Sequence, residues 1–173
     1  MIRTAIFIAS LCLFGQNAYS QSEPLEHNAS VEDITGDWQL LPMPEALQSK
    51  ALNTNPWPAQ CQWFSYANDG TLKSIDKTNS SCETLSAARL DEIMQQVPAV
   101  TSWKYDLSPQ FQKALIIVGR SDVKGYAEYW EPHVVTSDFS RAGEEFKQGD
   151  LILYLVNIQT HQVLWIRHLR KLS

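Results

Sequence analysis

The stretch of this chain richest in chemistry is Gly125-Tyr126-Ala127-Glu128-Tyr129-Trp130-Glu131-Pro132-His133. Side chains alternate along an extended strand, so Tyr126, Glu128 and Trp130 share one face and Ala127, Tyr129 and Glu131 the other. A glutamate between two aromatics on an inward face is a polar anchor in an apolar pocket. The opposite assignment makes Gly125 and Ala127 the packed side and leaves Glu128 in water, which is the default for an unpaired carboxylate. Trp57 is a second candidate contact. It stands between Pro56 and Pro58, and a rigid loop tryptophan near the end of a scaffold is placed to meet a ligand or partner.

Bond-making motifs are absent from the sequence. It contains no Gly-x-Ser-x-Gly elbow, no His-Glu-x-x-His, no phosphate loop and no dinucleotide fingerprint. His133, His161 and His168 are not at metal-ligand spacing, and His27 falls in a polar N-terminal stretch. A three-histidine site assembled in space would leave no such trace. No catalytic residue, metal or cofactor is therefore assigned.

The cysteines and the N-terminus bear on the compartment. Met1-Ile2-Arg3 is a short positive start, Thr4 to Phe14 is apolar, and Ala18 and Ser20 put small residues at −3 and −1 of a cleavage site. This is the layout of a secretory signal peptide over residues 1–20. The apolar run is shorter than the roughly 20 residues that span a bilayer. Cys12 has Leu11 before it, not the small residue a lipoprotein cleavage site wants. Cys61 and Cys82 then remain in an exported chain, and an oxidising compartment favours one disulfide between them. The expectation is a periplasmic or extracellular protein, not membrane-spanning. Without the signal, 13 basic residues face 19 acidic ones, a net −6, and an acidic, patternless chain is not built for nucleic acid.

The elements that must position these residues are mostly strands. Thr35–Leu41 ends at Pro42 and Pro44. Gln60–Ala67 and Thr71–Asp76 are joined by Asn68-Asp69-Gly70, residues that accept the positive φ of a tight turn. Ala87, Leu90, Ile93, Met94 and Val97 have helical spacing, with Thr84 available as a cap and Pro98 as a stop. Strands resume at Ser102–Leu107, Lys113–Gly119, Val123–Thr136, Asp150–Gln159 and Gln162–Leu172. Residues 21–33 read as a loose polar leader, 137–149 as a polar loop, and 34–173 as a single domain. Eight short-connected strands with one mid-chain helix make a mainly β fold, an antiparallel meander that closes into a barrel or folds into a sandwich.

Gly36-Asp37-Trp38, opening the first strand of an exported β-meander, resembles the lipocalin signature. Trp63-Phe64-Ser65-Tyr66-Ala67-Asn68-Asp69-Gly70 is similar to bacterial lipocalin-like, calycin-type domains, in which an aromatic strand enters an Asp-Gly turn. The resemblance implies an eight-stranded barrel whose first-strand tryptophan, Trp38, is covered at the closed end by an arginine of the last strand. Arg167 and Arg170 are both available, and Arg167 lies deeper in the strand. It also implies binding of a small apolar or amphipathic ligand. The alternative is a cell-envelope interaction module, an inhibitor or assembly factor, whose filled barrel presents the loops at 42–58 and 137–149. A barrel enzyme is the weakest of the three readings.

Overall fold

The computed structural model describes residues 25–52, 55, 59, 61–77, 82, 84–108 and 112–173. Its strands are β1 (Glu26–Asn28), β2 (Gly36–Leu41), β3 (Cys61–Tyr66), β4 (Thr71–Lys77), β5 (Thr101–Ser108), β6 (Lys113–Arg120), β7 (Ala127–Val135), β8 (Phe139–Arg141), β9 (Glu144–Phe146), β10 (Leu151–Val156) and β11 (Val163–Lys171). Two α-helices, α1 (Val31–Ile34) and α2 (Ala87–Met94), accompany them. Strands β2 to β7, β10 and β11 pair in chain order, every pair antiparallel, and β11 returns to β2. The result is a closed eight-stranded antiparallel barrel.

Alternation fixes what faces inward. Trp38 and Leu40 of β2, Phe64 and Tyr66 of β3, Leu72 of β4, Trp103 of β5, Ile116 and Val118 of β6, and Leu151, Leu153 and Leu155 of β10 form one continuous interior with Trp130 and Leu169. Along β3 nearly every residue is buried, whichever face it is on. The reason is α2, whose Leu90 and Met94 pack with Cys61, Trp63 and Leu85 on the outside of β3 and β4. Ser86 caps this helix, its Oγ accepting from the Arg89 N–H at 3.3 Å; Thr84 is not the cap.

Two segments expected to lack regular structure have it. The part of the loose leader that the structure describes, residues 25–33, is ordered. Glu26–Asn28 pairs with β7, and α1 carries a capping box between Ser30 and Asp33, which satisfies the first-turn N–H groups. Ala29 and Ile34 are fully buried beside Trp38 and fill the end of the barrel where β2 begins. The polar loop at 137–149 is also structured. It is the hairpin β8–β9, turned by Ala142 and Gly143 at positive φ. Phe139 stacks on Phe146 at 4.6 Å, and Phe146 packs with Val135 and Ile152 on the outside of the barrel.

Cys61 and Cys82 form a disulfide across 21 positions, with their Cα atoms 5.3 Å apart. It ties the start of β3 to the approach of α2. Closing a loop of that length removes unfolded-chain entropy, so replacing both cysteines by serine should lower stability by about 2–5 kcal/mol. Urea unfolding with and without the bond measures this; coincident midpoints would mean the link constrains nothing.

Candidate binding site at the barrel mouth

Strand β7 builds one wall of the mouth. The β6–β7 turn is held by an ion pair of Arg120 with Asp122 at 2.7 Å and bends at Gly125, φ +75°. The chain re-enters the barrel with Glu128 and Trp130 pointing inward, so the sequence reading that left Glu128 in water is corrected. The Tyr126 hydroxyl donates to Glu128 Oε1, and the Trp130 Nε1–H donates to Glu128 Oε2 at 2.8 Å. One strand face thus brings together three of the four expected contacts, with the carboxylate fixed by its own aromatic neighbours. Burial raises the Tyr126 pKa, and the hydrogen bond to Glu128 raises it further. Trp57 lies outside the described residues.

Strand β11 supplies the opposite charge. Arg167 faces inward and is 7% exposed. Its guanidinium sits 4.3 Å from the Trp130 ring centroid and 5.1 Å from that of Phe64, within cation–π range. Burial lowers its pKa, opposed by Tyr66, Glu128 and Tyr126 nearby. Tyr66 is pushed up to about 12, mainly by burial. Arg167 therefore does not cover Trp38, as the sequence reading had it, and neither does Arg170. The register sets Lys171 opposite Trp38, and its Nζ lies 5.3 Å from the Trp38 ring centroid. Gly36, at φ +130°, leaves room for that lysine: a Cβ there would stand 2.9 Å from Lys171 Cε.

Between these walls lies a half-open cavity of about 340 Å³. Phe64, Leu72 and Val118 make its apolar side; Gln62, Ser74, Asp76, Thr101, Arg120, Tyr126, Glu128 and Arg167 make its polar side. These residues come from β3, β4, the start of β5, β6, the approach to and start of β7, and, for Arg167, the middle of β11; most stand toward the start of β3 and the ends of β4 and β6, the pole opposite Trp38. Alternation groups Arg167 with Trp165 and Leu169 from sequence alone; that it meets Trp130 depends on pairing across β7, β10 and β11. Gln62 carried no signal, because nothing local separates an inward glutamine from a solvated one.

Two of the three histidines meet at one carboxylate, and the third lies elsewhere. His133 Nε2 and His161 Nε2 both reach the buried Glu131, at 2.9 and 3.1 Å, and Lys113 Nζ joins them at 2.7 Å. Burial opposes ionisation of Glu131, but the hydrogen bonds from Lys113 and His133 prevail and hold its carboxyl below the usual range. The cluster lies on the outer face of β7 and fastens the β10–β11 turn, which carries His161. His168 is apart, bound to Asp150 at 2.7 Å.

Comparison of the chain with protein-family models, curated proteins and solved structures returns no match. Among the described residues, no helix is long and apolar enough to cross a membrane.

Proposed function

We propose that this is an exported lipocalin-like binding protein that takes a small apolar or amphipathic molecule into the mouth of its barrel. The observation that carries the reading is the half-open cavity opposite Trp38, with an apolar side and an ordered polar side. Small-molecule sites have this make-up: a concave apolar lining, a few fixed polar groups and a volume of roughly 300–1,000 Å³. Glu128, held by Tyr126 and Trp130, is already oriented and needs no reordering to meet a ligand donor. The lipocalin likeness gains support from Trp38, buried beside a last strand that pairs with the first and bears a cation over its ring. Export is supported by the disulfide, since such bonds persist in oxidising compartments.

A second reading, the envelope interaction module, is favoured by the other half of the interior. There Trp38, Ile34, Ile116, Leu151 and Leu169 are fully buried and leave a solid floor. Native mass spectrometry of the protein drawn from its own cells separates the two. The binding reading expects a retained small molecule that is released on denaturation. A retained protein partner with no small molecule would favour the second reading. Bare chain mass, together with no uptake of any amphiphile added in vitro, would remove the first.

A further inference from the structure

The barrel wall has a seam, and the seam is closed by side chains instead of backbone. Pro42 and Pro44 stop β2 at Leu41, because proline lacks the N–H a ladder needs. Strand β11 begins well before that level: its pairing with β2 covers only His168 to Lys171, so Val163 to Arg167 have no β2 partner. The segment after Leu41 lies over this edge as a strap, with a turn of 3₁₀ helix at Glu45–Leu47. Met43 and Leu47 anchor it in the outer cluster around Phe146 and Ile152. Gln48 then does what a strand residue would do. Its Nε2 donates to the Ile166 carbonyl at 2.9 Å, and its Oε1 accepts from the Ile166 N–H at 2.7 Å. The Ser49 hydroxyl donates to the Val163 carbonyl at 2.6 Å.

A side-chain amide fills one ladder position, not a strand's width, and space remains beneath the strap. A second cavity of about 440 Å³ lies there, faced by Leu40, Leu41, Met43, Trp165 and Ile166. Ala59, Gln62 and Arg167 line both this cavity and the one at the mouth. The two spaces therefore meet at the same polar residues, one on the barrel side and one on the seam side.

From this we infer that the space beneath the strap is a second subsite, which takes the apolar arm of an amphipathic ligand whose compact, hydrogen-bond-accepting head lies against Gln62 and Arg167. The inference rests on the binding function proposed above. The chemistry is divided accordingly: at the shared wall the Arg167 guanidinium, with its five N–H donors, beside a Gln62 amide that already donates to the Ala59 carbonyl at 3.5 Å; under the strap, aliphatic and aromatic surface. The solid floor around Trp38 leaves the arm no equal volume deeper in the barrel. Gln48 is a positioning residue that latches the strap over the arm.

The test uses n-alkyl phosphates from butyl to decyl, below their micelle concentrations, with the whole mature protein and isothermal titration calorimetry. Affinity should rise about fourfold per methylene, the equivalent of ~0.8 kcal/mol per buried CH₂, until the subsite is full. Met43→Trp fills the subsite. It should abolish that gain while leaving butyl phosphate within about twofold. Ser74→Trp narrows the mouth and should weaken the whole series alike. Gln48→Ala should weaken binding of decyl phosphate about tenfold and leave butyl phosphate unchanged. This variant decides the matter if Met43→Trp folds poorly. A chain-length gain that survives Met43→Trp, with decyl affinity unchanged in Gln48→Ala, overturns the subsite. Equal binding of butyl and decyl phosphate by the wild type overturns it too, and leaves the mouth as the binding site. Failure of every member to bind counts against the binding function itself.

Discussion

Trp38→Ala should lower the stability of the barrel by about 3–5 kcal/mol, the cost of emptying a fully buried tryptophan site. Trp38 is 1% exposed and packed among Ile34, Ala29 and Leu169. Its indole N–H donates to the Ile34 carbonyl at 2.8 Å, so truncation also leaves that carbonyl short of a donor in a dry environment. Urea unfolding measures the total, and a double-mutant cycle locates the cation. Lys171→Ala alone should cost far less, since its ammonium lies at the surface and an exposed cation–π contact is worth about 0.5–1 kcal/mol. Coupling of that size should appear between Trp38 and Lys171. None should appear between Trp38 and Arg167, whose guanidinium sits on Trp130 and Phe64. Equal coupling in both cycles would return the role to Arg167. A loss below about 1 kcal/mol for Trp38→Ala would mean this pole of the barrel is not the packed one.

The barrel itself could be read from the chain because its determinants are local. Period-two alternation marks each strand, and Asn68-Asp69-Gly70 or Pro42 marks where a strand must turn or stop. The faces of β7 followed from alternation as well, which is why Tyr126, Glu128 and Trp130 could be grouped before their hydrogen bonds were known. Which face pointed inward could not be decided, since the small Gly125 and Ala127 satisfy a packed side equally well. Register was the second gap. Whether Arg167, Arg170 or Lys171 meets Trp38 depends on how β11 slides against β2, and the pairing of Lys171 with Trp38 is set by the whole closed sheet. Short elements with polar sequences were the third. The signal for α1 was present in Ser30-Val31-Glu32-Asp33, a capping-box pattern, but a four-residue helix has no hydrophobic period to draw attention to it. In the hairpin β8–β9, Phe139 and Phe146 are the only large apolar pair among charged neighbours. The strap is of the same kind: no sequence rule shows that Gln48 will serve as a backbone substitute.

Asp150→Asn should cost about 3 kcal/mol at neutral pH, and the loss should fade in acid. Asp150 is 2% exposed and accepts from His168 Nε2 at 2.7 Å, from Arg170 at 3.0 and 2.7 Å, and from the Lys147 N–H at 2.8 Å. Burial by itself would raise the carboxyl pKa. The hydrogen bonds from His168, Arg170 and the Lys147 backbone outweigh it and hold the pKa at about 2, from an ordinary value of 3.8. The folded value lies below the unfolded one, so the contribution is fully present above pH 4 and is lost as pH falls through about 2. A difference of that size corresponds to roughly 2–3 kcal/mol at about 1.4 kcal/mol per unit. The amide keeps one acceptor for His168 but gives Arg170 no charge to pair with, and breaking a buried pair on one side is the costly case. Urea unfolding of both proteins between pH 7 and pH 2 isolates this residue from the other titrating carboxyls, because those are common to both. The stability gap should be constant down to about pH 4 and then close. A gap that stays the same to pH 2 would show that Asp150 serves through its shape and hydrogen bonds alone. Its charge would then have no part in holding β11 against the β9–β10 turn.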